Sequence, residues 1–223
     1  NRKFSVLMSV YVKENPVFLE EAVESIIHQT LKPSEVVIVE DGPLTPELYQ
    51  VLEKLEAQSS IPIKRCPLEQ NRGLGLALQN GVLQCQYDVI ARMDTDDIAV
   101  EDRFEQQFEL MEKENLDLLG GHIAEFIDQP DEIVSYRRVP TKHEDIIAYQ
   151  RMRSAFNHMT VMFKKEMVLK AGNYEDGLYM EDDLLWLNMI SAGARTGNVD
   201  QILCKVRVGA GMFERRGGLR YLK

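Results

Sequence analysis

Up to about residue 95 the chain switches repeatedly between two hydrophobic periods, and this alternation most restricts the architectures open to it. Residues 4–11 form an apolar run of strand length. Asn15 and Pro16 then supply a capping side chain and a proline suited to the first helical position. Leu19, Ala22, Val23, Ile26 and Ile27 follow at helical spacing. "EVVIV" (35–39) is short and apolar throughout, the pattern of a parallel strand covered on both faces. Thr45-Pro46 opens a helix to about residue 58; residues 61–66 read as a third strand, 71–83 as a third helix despite its glycines, and 87–93 as a fourth strand. Strands and helices in this order predict an open, mostly parallel α/β sheet with helices on both faces. Such sheets bind ligands beyond the carboxyl ends of their strands.

The second half is less regular. A helix over 101–114 turns Phe104, Phe108 and Met111 inward. Strands are expected at 118–127, 133–139, 158–163 and 202–208, with helices at 142–153 and 180–190. No Ser/Gly-rich linker, low-complexity run or internal repeat divides the chain, so a single domain is expected.

"ARMDTDDI" (91–98) places Asp94, Asp96 and Asp97 where the fourth strand ends. Carboxylates this crowded stay ionised only when a cation neutralises them. Their hard oxygens suit Mg²⁺ or Mn²⁺ shared with ligand phosphates. A helix cap before Val100 would need only one of them. A calcium loop fails, because Ile98 and Ala99 occupy the positions where it needs a ligand and a glycine.

Three further stretches carry chemistry. "NRGLGLALQNG" (71–81) breaks the dinucleotide fingerprint at Leu78, and no Walker-type lysine loop exists anywhere. Its glycines serve close helix packing, or its Arg72 meets a base or phosphate at the helix start. "YMEDDLLWLNMI" (179–190) sets Glu181, Asp182 and Asp183 before an apolar helix with the only tryptophan, Trp186. Acids there cap the helix, or one is a general base whose pKa burial and neighbouring charge raise. His158, in "FNHMTVMF", reads as a satisfied core histidine or as a group reaching a metal or phosphate.

Net charge is −10 and the pI about 5.0, which disfavours nonspecific nucleic-acid binding. From Lys205 onward the balance reverses, with Arg207, Arg215, Arg216, Arg220 and Lys223 against Glu214 alone. That is a solvated end, or a cationic flap for phosphates or an anionic membrane face. Cys66, Cys85 and Cys204 are scattered without zinc spacing, which fits a reduced, cytoplasmic protein. No apolar run approaches the roughly 18 residues that span a bilayer.

The motifs, in order, resemble the family 2 glycosyltransferases of bacterial polysaccharide biosynthesis, which have a GT-A fold. "FSVLMSVYVKEN" looks like their opening strand and turn. "PSEVVIVEDGP", "NRGLGLALQNG", "RMDTDDI", "NHMTVMFKKE" and "EDDLLW" are similar to the family's later segments. The resemblance runs from Phe4 to about Val208. It implies a nucleotide-binding half (1–98), an acceptor-binding and catalytic half (99–208) and a basic, mobile tail (209–223). Ser9, Tyr11 and Asp41 would hold the nucleobase with Arg72 assisting; Asp94 would sit near the ribose; Asp96 would bind Mn²⁺ or Mg²⁺; Asp182 would be the base. His158, on its own reading above rather than on the resemblance, is a further candidate metal group. Arg215 and Arg216 would close over the diphosphate.

The reaction implied is inverting transfer from a nucleotide-diphosphate sugar, a UDP-sugar favoured, to a hydroxyl of a glycan or lipid-linked acceptor. It would take place in the cytoplasm, with peripheral attachment to the inner membrane face and no nucleic acid involved. A sugar nucleotidyltransferase and a cation-dependent carbohydrate-binding module are the rival readings. Val12 and Glu40-Asp41-Gly42-Pro43 depart from the family's usual residues, and the second departure bears on which nucleobase is taken rather than on the fold.

Overall fold

The computed structural model describes residues 2–176 and 180–209. The expected tail, with Arg215 and Arg216, falls almost wholly outside the described residues. The first half follows the alternation: β1 (Ser5–Val10), α1 (Pro16–Ile27), β2 (Glu35–Glu40), α2 (Pro46–Gln58), β3 (Ile63–Pro67), α3 (Leu74–Gln84) and β4 (Val89–Arg92). Both anticipated caps form. Asn15 Oδ1 accepts from the Val17 N–H at 2.9 Å, and Thr45 Oγ1 accepts from the Leu48 N–H at 3.3 Å. Leu19, Ala22, Val23 and Ile26 of α1 are wholly buried. Burying each of the larger ones contributes about 1.5–3 kcal/mol.

The remainder is β5 (Ile98–Ala99), α4 (Arg103–Glu114), β6 (Leu118–Phe126), β7 (Ile133–Arg137), α5 (His143–Gln150), a 3₁₀ turn (His158–Thr160), β8 (Met162–Lys164), α6 (Lys165–Lys170), α7 (Glu181–Ser191) and β9 (Thr196–Arg207). One sheet runs through both halves in the order β3-β2-β1-β4-β8-β6-β9-β5, with β7 on β6. Strands β3, β2, β1 and β4 are mutually parallel, and β6 is parallel to β9. The short β8 joins the two parallel groups antiparallel to both β4 and β6. Alternate residues of β1 feed opposite faces: Val6 and Met8 pack with α1, α2 and α4, while Leu7 packs with α3 and α7. The helices thus cover both faces, as the continuous apolar strands require.

Gly81 brings α3 close to the sheet: a Cβ there would stand 2.3 Å from Leu7 Cδ1 and 2.9 Å from Val39 Cγ2. Strand β5 and helix α6 were not anticipated, and three other segments depart from the sequence reading for identifiable reasons. Residues 158–160 are a 3₁₀ turn rather than the start of a strand. Side chains hold it: Thr160 Oγ1 donates to the Asn157 carbonyl at 2.7 Å, and Asn157 Nδ2 donates to the Gly121 carbonyl at 2.8 Å. β9 begins at Thr196, six residues before the expected start. Its polar opening pairs with β6 because Asn198 Nδ2 finds the Pro140 and Ala155 carbonyls at 2.6 and 3.0 Å. The register shifts after Gly121, which moves its partner from Val199 to Ile202 opposite His122 and leaves Asp200 and Gln201 exposed. Helix α3 starts at Leu74 rather than residue 71, because the preceding backbone is bound to Asp41.

Candidate active site

The carboxyl ends of β1, β2 and β4 open onto a cleft of about 490 Å³. Ser9 and Tyr11 reach it from β1 and the turn after it, Asp41 from the end of β2, and Asp94, Thr95 and Asp96 from the loop after β4. Glu14, Asn71, Gly73 and Leu74 complete the wall. Five sequence-predicted residues therefore meet in one cleft. Glu14 and Thr95 were not anticipated.

Asp41 is buried and aimed at the start of α3. Its carboxylate accepts the Arg72 and Gly73 N–H groups at 2.7 and 3.0 Å. Asn71 Nδ2 donates to the Asp41 carbonyl at 3.2 Å. The Arg72 side chain is exposed at the same loop. Gly42 follows with φ +85°, and a Cβ there would lie 2.5 Å from the Asn71 nitrogen. Only glycine fits this crossing of two backbones.

Asp94, Asp96 and Asp97 can bring one carboxylate oxygen each within 4.8 Å of one another. They do not cap α4, whose cap residue is Asp102. Burial, then Asp94, raises the pKa of Asp96; burial, then Asp94 and Asp96, holds Asp97 well above the usual carboxylate range. Glu14 is pushed up to about 7 by burial and then by Asp96 and Asp94. This is a site starved of positive charge, and all its donors are hard oxygens, the set that Mg²⁺ or Mn²⁺ prefers. Two arginines partly compensate. Arg92, wholly buried on β4, pairs with Asp94. Arg207, at the end of β9, donates its backbone N–H to Asp97 Oδ1 at 3.0 Å, and its guanidinium pairs with Glu21 while lying over the Phe18 ring.

A second group of side chains surrounds Asp182 in the first turn of α7. Burial, then Asp183, raises its pKa. Asp183 is engaged by Gln150 Nε2 at 2.7 Å. His158 Nδ1 stands 3.9 Å from Asp182 Oδ2, and His158 Nε2 meets the Tyr174 hydroxyl at 2.9 Å. Burial, and then Arg92, keep His158 neutral, so its approach to Asp182 is not an ion pair. His158, read from the sequence as a core or metal-reaching group, thus belongs to the aromatic wall behind Asp182, with Tyr174 and Trp186.

Helix α3 links the two groups. Gly75 lets its first turn pass the Glu175 carbonyl, where a Cβ would come within 2.5 Å, and Gln79 Nε2 donates to the Tyr174 carbonyl at 2.6 Å. Arg92 and Tyr174 were missed by the sequence reading. The signal for Arg92 was an arginine inside an apolar strand just before three acids.

A cleft at the carboxyl edge of parallel strands, rimmed by carboxylates and adjoining a half-buried acid, describes many ligand sites. The sequence profile decides among them: that of "Glycosyl transferase family 2" matches residues 5–173. The chain belongs to glycosyltransferase family 2. An uncharacterised glycosyltransferase of Haemophilus influenzae is 47% identical over 99% of this chain and 82% of its own. The UDP-Gal:alpha-D-GlcNAc-diphosphoundecaprenol beta-1,3-galactosyltransferase of Escherichia coli is 38% identical over 98% of this chain and 79% of its own.

Among solved structures, TarS 1-349 of Staphylococcus aureus in complex with UDP-GlcNAc superposes with a TM-score of 0.73 at 18% identity, over 93% of this chain and 59% of that one. Mannosyltransferase PcManGT of Pyrobaculum calidifontis, in complex with GDP-Man and Mn²⁺, gives 0.70 at 16%, over 92% and 56%. The fold of this glycosyltransferase is therefore GT-A. Among the described residues no helix is long and apolar enough to cross a membrane.

Proposed function

We propose that this glycosyltransferase moves a sugar, with inversion, from a nucleotide-diphosphate sugar to a hydroxyl of a glycan or lipid-linked acceptor at the cytoplasmic face of the membrane. The observation that carries this reading is the carboxylate trio at the rim of a cleft that also presents Ser9, Tyr11 and Asp41. A pyrophosphate approaches such a rim only with a cation between. UDP-sugars are the favoured donors, in line with the UDP-Gal named for one relative and the UDP-GlcNAc bound by TarS. The same relative's name includes a diphosphoundecaprenol-linked sugar, which supports a lipid-linked acceptor.

In this reading residues 1–223 form one domain, with the donor in the half up to 98 and the acceptor in 99–208. Ser9, Tyr11 and Asp41 hold the nucleobase, Arg72 stands at its edge and Asp94 lies near the ribose. Asp96, with its neighbours, holds Mn²⁺ or Mg²⁺, which when bound neutralises charge on the departing diphosphate.

Asp182 takes the proton of the acceptor hydroxyl. That oxygen forms a bond to the anomeric carbon on the face opposite the leaving group, and the bond from that carbon to the diphosphate oxygen breaks. Partial burial makes Asp182 a stronger base than a solvated aspartate. His158, neutral and tied to Tyr174, walls Asp182 without quenching its charge.

Thermal-shift titration with UDP-, GDP- and dTDP-sugars, with and without Mn²⁺, identifies the donor. Asp182→Asn keeps the donor-induced shift and loses about 10²–10⁴-fold in turnover. Asp96→Ala loses Mn²⁺-dependent UDP binding in calorimetry. Undiminished transfer by the first variant removes Asp182 from its role, and unchanged UDP affinity of the second removes the cation from Asp96.

A further inference from the structure

Arg92 is the last residue of β4, and the period of two sends its side chain to the face of Ile90, opposite Ala91 and Met93. Its main chain is fixed on both sides. The Arg92 N–H donates to the Val161 carbonyl at 2.8 Å, and the Arg92 carbonyl accepts from Arg103 Nη2 at 2.7 Å. The guanidinium is 2% exposed, and its Nη2 pairs with Asp94 Oδ1. Among the described residues Nε and Nη1 have no hydrogen-bond partner, so Asp94 is the one side chain that engages this cation. Fold stability does not account for the pair. Apolar groups in place of a buried ion pair are often neutral or stabilising, and the strand's other residues, Val89, Ile90 and Ala91, are all apolar.

The three carboxylates of the loop are held differently. Asp97 is buried and accepts the Arg207 backbone N–H. Asp94 gives one oxygen to Arg92. Asp96 has no guanidinium on its carboxylate among the described residues; Arg207 Nε reaches its carbonyl instead, at 3.4 Å. Yet Asp94 can bring an oxygen within 4.8 Å of the other two, close enough to share one ion with them.

We infer that Arg92 is a positioning residue that withholds Asp94 from the cation, leaving Asp96 to hold the ion and Asp94 to face the donor. The inference rests on the proposed function, which puts the cation at Asp96, and divides the labour between the two acids. A cation held by few carboxylates keeps coordination positions, and charge, for diphosphate oxygens. The sign of Arg92's effect follows from its chemistry. A neighbour that only orients a metal ligand strengthens the site, and its loss weakens metal binding. Arg92 is itself a cation competing for the same carboxylate, so its loss strengthens metal binding.

The test is titration of the chain with MnCl₂, free Mn²⁺ being read by its electron paramagnetic resonance signal, first without nucleotide and then with UDP. Without nucleotide, Arg92→Met binds Mn²⁺ about 10–100-fold more tightly than the wild type, the size of effect that neighbours of metal ligands exert. Arg92→Met/Asp94→Asn returns to the wild-type range, because its net charge is that of the wild type and the released carboxylate is gone. Arg92→Lys, which keeps the positive charge, shows less gain than Arg92→Met. UDP tightens Mn²⁺ binding less in Arg92→Met than in the wild type, because a second carboxylate offsets charge that the diphosphate would meet. Arg92→Gln gives the same direction and takes the place of Arg92→Met should that variant not melt cooperatively.

Unchanged or weakened Mn²⁺ binding by Arg92→Met overturns the inference, since a guanidinium that only shaped the site would leave a looser one behind. So does a gain that persists in the double variant. Mn²⁺ binding that Asp96→Ala leaves intact sinks the cation reading and this inference together. Asp96-dependent binding with no gain in Arg92→Met sinks this inference alone, so the two failures are distinguishable.

Discussion

Replacing Gly42 by alanine tests the construction of the donor cleft most directly. Two costs are separable. The first is backbone strain: at φ +85° an L-residue loses about 1–2 kcal/mol. The second is collision. The added Cβ would stand 2.5 Å from the Asn71 nitrogen and 3.0 Å from the Gln70 carbonyl carbon, both backbone atoms that no rotamer change can move. The 70–73 segment must retreat by most of an ångström. In doing so it withdraws the Arg72 and Gly73 N–H groups from the buried Asp41 carboxylate, which now receives them at 2.7 and 3.0 Å. A hydrogen bond to a charged group is worth about 1.5–3 kcal/mol, so losing one of the two brings the total to about 2.5–5 kcal/mol.

Gly193→Ala is the matched control. Its φ is +93° and a Cβ would meet nothing within 4 Å, so it carries the strain alone. Urea unfolding of the two variants, with m-values checked for equality, isolates the collision as their difference. UDP titration should show weakened binding for Gly42→Ala and none of that loss for Gly193→Ala. Equal stability losses, or full UDP affinity in Gly42→Ala, would refute the view that Asp41 is held in place by the α3 loop.

Two further outcomes follow from the same geometry. His158, faced by the Tyr174 hydroxyl, Asp182, Arg92 and Trp186, stays neutral in the folded chain, because burial and then Arg92 lower its pKa well below 6.5. The unfolded chain alone gains that proton, so stability falls as pH drops below about 6.5, by up to about 1.4 kcal/mol per unit. His158→Gln should flatten that part of the stability–pH curve measured by urea unfolding; an unchanged slope would count against a buried neutral imidazole. Gly81→Ala gains about 1 kcal/mol of helix propensity but overpacks the buried Leu7 and Val39 by about 1–3 kcal/mol. A net loss of up to about 2 kcal/mol, read as a melting decrease of roughly 4–8 °C, is expected, and a stabilised variant would contradict the close contact.

The alternation of periods in the first half translated directly into β1 to β4 and α1 to α3, because hydrophobic period, Asn15 and Thr45 caps and Pro16 and Pro46 are local properties. The carboxylates of Asp94 and Asp96 could be placed at a ligand edge for the same reason: they directly follow a strand, and parallel strands end at the binding edge. The second half was less legible. The Asn157–Thr160 turn and the polar start of β9 are stabilised by side-chain bonds to Gly121, Pro140 and Ala155, residues far away in sequence, and no local pattern records them. Neither could the sequence show that Arg92 reaches Asp94 from inside the sheet.

Local periodicity by itself determined the parallel α/β core, its carboxyl edge and the acids on that edge. Tertiary structure alone decided that Glu14 joins those acids and that His158, Tyr174 and Trp186 gather behind Asp182. The physical reason is range. Period and capping depend on neighbours a few residues away, whereas burial and charge at a site depend on which segments the close contacts of Gly42, Gly75 and Gly81 allow to meet.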